Sequence, residues 1–252
     1  LIASGDTVLL DGVGVVCNPV VEGTVVSVVA NDEFETVLYT GNSSTQTVPM
    51  ANITGGVDFV WIKCRSHTYD HYVYDSIRGT GKPVRTTSTG AELTYTTDIT
   101  AFNADSIELG DGYWVNSNAS SQTYVAWCAS LPNHTPSNTD GTITSETKAN
   151  SFMSVVSFTA TGVTGTIGLG LTTSELVIIK RRDAVANWMV LHKDITPTTN
   201  GLFLDTTAAS FAHGGWISGT FGGNTLQLVG GGSPNAVNGE KNIAYAFTSV
   251  AG

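Results

Sequence analysis

Apolar positions along this chain recur with period two or in short uninterrupted runs. No window of helical length carries an amphipathic stripe. ETVLYT (35–40), DFVWIKC (58–64), HYVYDS (71–76), DSIEL (105–109) and TYVAWC (123–128) are all of strand length. Clusters of turn formers separate them, among them TGNSST (40–45), RGTGKP (78–83) and SNASS (117–121). ATGVTGTIGLGL (160–171) is too rich in glycine for a helix interior. The pattern predicts an all-β protein of many short strands, of the β-sandwich or jelly-roll kind.

The strand pattern also repeats. ANDEFETVLYTG (30–41) is echoed by ANSFMSVVSFTATG (149–162), and DFVWIKCR (58–65) by ELVIIKRR (175–182). SIELGDG (106–112) returns as TLQLVGG (225–231), and VAWCA (125–129) as IAYAF (243–247). Lys63 to Lys180, Val125 to Ile243 and Leu109 to Leu228 are separated by 117, 118 and 119 positions, so order and spacing are both kept. This predicts two tandem lectin-like sandwich repeats, 25–131 and 146–252. They are joined by a linker at 132–145, where Pro132 and Pro136 are expected to stop pairing. Residues 1–24 have no counterpart. They are expected to be a short extended N-terminal segment or the end of an upstream domain.

Composition narrows the function. The net charge is −10 over 252 residues, which argues against nucleic acid as a partner and against an anionic membrane surface. The most apolar region, 7–30, is interrupted by Asp11, Asn18, Pro19 and Glu22 and reads as strands and turns, not a membrane span. The sequence starts at Leu1 without a basic leader, which fits processing or an upstream portion. Cys17, Cys64 and Cys128 are too few and odd in number for a disulfide framework, and read as free buried thiols.

Candidate chemistry begins with Cys64, His67 and His71, whose Cys-x2-His-x3-His spacing resembles a zinc site. Strand formers flank them, however, and on one strand the two histidines would lie about 13 Å apart. The second copy has Arg181 in place of Cys64 and DAVANW (183–188) in place of the histidine-bearing turn. The segment is therefore read as a turn between two strands, with no metal and no cofactor expected. There is no Gly-x-Ser-x-Gly elbow, and Asp98, Asp105, Glu108 and Asp111 cluster as β-turn residues do. No catalytic residues are assigned and the chain is read as a non-enzyme. The binding candidates are Asp111, Tyr113 and Trp114 in GDGYWVNSN, and Trp216 in AHGGWISG. Aromatic rings beside Asp, Asn and Gly suit sugar binding: the ring stacks on the apolar sugar face and the polar groups fix hydroxyls. The competing role for these rings is a lid over the end of a sandwich core.

The words Trp61-Ile62-Lys63, Asp75-Ser76-Ile77-Arg78-Gly79, Val125-Ala126-Trp127-Cys128 and Asp140-Gly141-Thr142-Ile143-Thr144-Ser145 carry a resemblance. With them, residues 25–252 resemble the repeated β-domains of virion proteins of tailed bacteriophages, marine ones especially, often labelled tail or tail-fibre proteins. Cys64, Arg181 and Leu169 depart from that pattern, so no ligand role is carried onto them. The resemblance implies a virion location, other virion proteins as partners and a homo-oligomeric appendage that attaches to a host-surface glycan or protein. A capsid decoration or other structural subunit is the alternative, and a glycan depolymerase a weaker one.

Overall fold

The computed structural model describes residues 33–116, 121–195, 199–212 and 223–249 with their side chains, and the backbone of 7–10, 13–16 and 217–218. Residues 1–30 and 31–252 form two compact units, so the first boundary falls after Ala30 and not after residue 24. In the first unit, β1 (Thr7–Leu10) and β2 (Val13–Val16) pair antiparallel, with Leu10 opposite Val13.

The second unit is an all-β sandwich structure of antiparallel sheets. In its first half a five-stranded sheet has the order β3 (Phe34–Thr40), β10 (Thr123–Ala129), β5 (Phe59–Cys64), β6 (Tyr72–Asp75) and β7 (Val84–Arg85). A three-stranded sheet of β4 (Gln46–Pro49), β9 (Ser106–Leu109) and β8 (Ile99–Phe102) covers one of its faces. Val60, Ile62, Tyr74, Tyr124 and Ala126 meet Val48, Ile99, Ile107 and Leu109 between them.

The same order recurs in the second half as β13 (Met153–Thr159), β21 (Lys241–Phe247), β15 (Leu176–Arg181), β16 (Met189–His192) and β17 (Asn200–Phe203). Its covering sheet is β14 (Gly165–Gly168), β20 (Thr225–Leu228) and β19 (Ile217–Ser218). Val156, Val177, Ile179 and Ala244 pack there on Ile167, Leu226 and Leu228. The large sheet continues past β13 through β12 (Ser145–Ala149) and β11 (Asn133–Asn138), and past β17 through β18 (Phe211–Ala212).

A third apolar cluster joins the halves. Phe59, Val73, Val84 and Ala129 of the first large sheet pack with Val155, Ile178, Trp188, Ile243 and Tyr245 of the second half. The middle strands of the two large sheets are thus buried on both faces, and the unit has four layers. That explains the uninterrupted burial of β6, where all four residues are inside, and of most of β5 and β13. Strands covered on both sides read as apolar runs, not as alternation.

This arrangement redraws the expected division at 132–145. Six of its fourteen residues form β11, and Pro136 lies where the β11–β12 register shifts. A proline is tolerated there because β11 is an edge strand. The halves are not beads on a linker. They share one central layer within a single compact unit.

A buried polar network fixes this layer. Asp75 ends β6, and its Oδ1 accepts the Arg78 backbone N–H at 2.9 Å, closing the Asp75–Gly79 turn. Gly79 has φ +83°, a left-handed conformation that suits glycine. Arg78 Nε lies 2.6 Å from Asp75 Oδ2, with both side chains fully buried. Across the layer, Arg78 Nη2 donates to Tyr245 Oη at 3.2 Å, and Tyr245 Oη donates to Asp75 Oδ2 at 2.9 Å. Glu92 extends the network, accepting from Arg78 at 3.3 Å and from Arg182 of the second half at 2.7 and 3.0 Å. Burial pulls the Arg78 pKa down, but Asp75, Tyr245 and Glu92 together more than offset this and keep the guanidinium charged. Trp188 is fully buried, stacks 6.3 Å from Tyr245 and donates its indole N–H to the Arg85 carbonyl at 2.8 Å.

Removing one partner leaves a buried charge without its counter-charge. Arg78→Ala is expected to lower the unfolding free energy by about 3–5 kcal/mol, read from urea denaturation followed by tryptophan fluorescence.

Candidate functional site

The candidate site lies at one end of the first half, where the β5–β6 turn meets α1 (Tyr113–Asn116). The turn is the segment that looked like a metal cluster. Cys64 closes β5 with its side chain buried in the core, and its sulfur lies 3.8 Å from Ser66 Oγ. His71 Nδ1 accepts the Trp61 indole N–H at 3.1 Å. The His67 ring is instead 4.1 Å from that of Tyr69. Among the described residues no three metal-ligating side chains converge. Cys64 and Cys128 are free and buried, while Cys17 lies outside the described residues.

Lys63 organises this turn. Its ammonium donates to the carbonyls of Cys64, His67 and Tyr69 at 2.8, 3.0 and 2.8 Å. Its counterpart Lys180 does the same to Arg181 and Ala184 at 2.9 and 3.4 Å, and reaches Thr89 of the first half at 3.2 Å. Burial lowers the Lys180 pKa to about 8. The lysine shared by both copies is a clamp on the following turn.

Below α1 the chain is fixed just as firmly. The Gly112 N–H donates to the Thr97 carbonyl at 2.9 Å. A Cβ on Gly112 would come within 2.2 Å of Asp98 Oδ1, so only glycine fits. Asn116 is buried and donates to the Gly110 and Ser44 carbonyls at 2.6 and 2.7 Å, while its Oδ1 accepts the Asn42 N–H at 3.0 Å. Tyr39 donates to the Val115 carbonyl at 2.7 Å.

This frame divides the predicted residues. Asp111 is exposed at the turn before α1. Trp114 is half-buried, edge-on to Tyr69 at 5.3 Å and stacked on Tyr72 at 6.3 Å, and so serves as the lid over the core. Tyr113 is 56% exposed and is the ring that faces outward. Trp216 lies outside the described residues. Tyr69 and His67 were not predicted as site residues, yet Tyr69, a buried core ring, lies 5.5 Å from Tyr113 and 4.1 Å from His67 and so supports both exposed rings. Their signal was present in the β5–β6 turn, but it read as ligand chemistry and not as aromatic chemistry.

A hydrogen-bond chain runs under the rings. Tyr124 Oη donates to Gln122 Oε1 at 2.9 Å, Gln122 Nε2 to Tyr69 Oη at 3.0 Å, and Tyr69 Oη to Tyr113 Oη at 3.0 Å. The Tyr69 and Tyr113 phenols are each occupied as acceptor by the group beneath. The last proton, on Tyr113, therefore faces outward and can donate to an external acceptor. The exposed rings present an apolar face with a donor at the rim.

The clefts elsewhere offer less. One of about 390 Å³ is lined by Asp58, Ser76, His134 and Lys148. There the Asp58 carboxylate is already occupied by Ser76, Lys148 and the Leu131 N–H at 2.6, 2.6 and 2.9 Å.

A domain of unknown function, DUF7483, matches residues 30–252 as a family model. The chain belongs to the DUF7483 family. No curated protein and no solved structure matches it. The DUF7483 region begins at the boundary between the two compact units, so the family comprises the four-layer unit and not the β1–β2 hairpin.

Asp98, beneath the α1 turn, generates a prediction. Burial pushes its pKa from 3.8 up to about 6, against the pull of the hydrogen bond from Tyr74 at 2.5 Å. The folded protein therefore keeps this proton where the unfolded chain has lost it. Stability from Asp98 is complete below the unfolded value and is lost as pH rises to about 6, a change on the order of 3 kcal/mol. Urea denaturation across this range should show the decline, and Asp98→Asn should flatten it.

Proposed function

We propose that this chain is a non-enzymatic module of a bacteriophage particle, attaching it to a host-surface glycan or protein through the exposed rings of His67 and Tyr113, which the buried Tyr69 supports. The observation that carries the attachment role is Tyr113, an exposed ring on a rigid turn whose hydroxyl already accepts from Tyr69. A ring face stacks on the apolar side of a sugar or peptide group, and the outward phenol proton fixes an acceptor. Lys63 and Asn116 hold the two turns, so little ordering entropy is lost on binding. The particle context is supported by the resemblance of the Trp61–Lys63, Asp75–Gly79 and Val125–Cys128 words to phage virion domains. A net charge of −10 fits a partner other than nucleic acid.

The test is binding of the purified protein to host envelope polysaccharide and to whole host cells. Tyr113→Ala should weaken binding about tenfold while leaving the unfolding midpoint unchanged. Equal binding by the variant removes the attachment role. Immunogold labelling of particles expects a distal tail position, and a regular array over the capsid shell would replace attachment with a decoration role.

A further inference from the structure

Sheet edges expose unpaired N–H and C=O groups, and proteins usually guard them by shortness, proline, glycine or bulges. Among the described strands of the 31–252 unit nearly every edge is guarded in this way. β7, β18 and β19 have two residues each. β11 carries Pro136 and a register shift, β4 ends in Pro49, and β8 has a register shift of its own. β14 begins and ends in glycine.

β3 is the exception. It has seven residues, Phe-Glu-Thr-Val-Leu-Tyr-Thr, without proline, glycine or bulge. Its one charge, Glu35, is turned elsewhere and accepts the N–H groups of Ala51 and Asn52 at 3.0 and 2.8 Å. Phe34 and Leu38 are 40% and 60% exposed, alternating with inward residues.

The hydrogen-bond parity identifies which groups are open. The Gly41 N–H donates to the Gln122 carbonyl at 2.9 Å, and the Ser130 N–H to the Glu33 carbonyl at 3.0 Å. In this register the odd-numbered residues of β3 bond to β10. The N–H and C=O groups of Phe34, Thr36, Leu38 and Thr40 therefore point to the open edge, where the Thr40 carbonyl accepts from the exposed Gln46 side chain at 3.2 Å. The counterpart strand β13 has the same parity, with Met153, Val155, Ser157 and Thr159 in those places. There β12 occupies the edge, pairing from Ser145 opposite Phe158 to Ala149 opposite Ser154. An added antiparallel strand at this position is thus a geometry that the second half already realises.

We propose that β3 is the interface for a second copy of this chain, pairing antiparallel with β3 of that copy about a two-fold axis through Val37. This interface is independent of the attachment reading. Centring on Val37 sets Thr36 against Leu38 of the second copy, where open groups meet, and Phe34 against Thr40, where the Phe34 N–H would displace the Gln46 side chain from the Thr40 carbonyl. It places Glu35 opposite Tyr39 and so sets no like charges against each other, which matters for a chain of net charge −10. The pairing is isologous, as two-fold interfaces require, and it covers Leu38. One strand pair buries modest area, so the dimer is concentration-dependent.

Sedimentation velocity of the full chain over a concentration series, with hydrogen exchange of β3, tests this. The expected result is a monomer–dimer equilibrium with protection of the Phe34, Thr36, Leu38 and Thr40 amides that grows with dimer fraction. Thr36→Pro removes an outward N–H and leaves the β10 ladder intact, and Leu38→Lys charges the exposed face. Each should raise the dimer dissociation constant about tenfold or more while preserving the monomer's circular dichroism. A monomer at all concentrations overturns the proposal. Protection of these amides in the monomer overturns it too, because the edge is then filled by the same chain. A dimer insensitive to both variants puts the contact elsewhere and equally overturns it.

Discussion

Arg78 has its guanidinium buried between two sheets, and the fold depends on its being answered there. Asp75 supplies the counter-charge from the same turn, and Tyr245 bonds to both from the opposite half. Burying a charged pair is costly, and its attraction compensates only where every remaining donor and acceptor is placed. The Val73 carbonyl at 3.1 Å, the Lys82 carbonyl and Glu92 complete that set. An arrangement this demanding admits few sliding alternatives between two apolar sheet faces. Dispersion and burial around Phe59, Trp188 and Ile243 hold the faces together, and the network fixes where they meet.

Once the large sheets are fixed back to back, function is left to the ends and edges. The outer faces of the body are small three-stranded covers, and the central faces are closed over β5, β6, β15 and β21. The turns between β5 and β6 and before α1 therefore carry the exposed chemistry, and each is clamped from beneath by a buried donor set. The clamp is the same device in both halves, a lysine ammonium over several carbonyls of one turn, but only the first half dresses it with rings. Lys180 spends one of its bonds on Thr89 and joins the halves instead. The first half presents an exposed surface at this turn, while the corresponding turn of the second serves cohesion.

Much of this was legible in the sequence. Strand-length apolar runs between Gly- and Asn-rich turns gave the all-β class, and four matched blocks marked positions that are now seen as equivalent strands in equal sheet orders. The runs themselves, such as Tyr72–Asp75, also signalled burial on both faces, but a short run alone does not say what covers it. The four-layer stacking was illegible because its determinants, Arg78 and Tyr245, are 167 residues apart. Pro136 misled because a proline stops a central strand but not an edge strand with a bulge. At the site, Tyr113 and Trp114 are sequence neighbours with opposite fates. One turn of helix sends the first outward and lays the second on Tyr72, a difference that residue type does not encode. The ligand-like spacing of Cys64, His67 and His71 dissolved once β5 pointed the thiol into the core.

The central claim is that the two halves form one cooperative body locked at the Arg78 layer. Native-state hydrogen exchange with increasing denaturant tests it most directly, by comparing β5 and β10 with their counterparts β15 and β21. The account predicts that the slowest amides of both pairs merge into one opening reaction with a single free energy equal to global unfolding. If one pair opens at a lower free energy while the other stays protected, the halves are independent sandwiches and the account is contradicted.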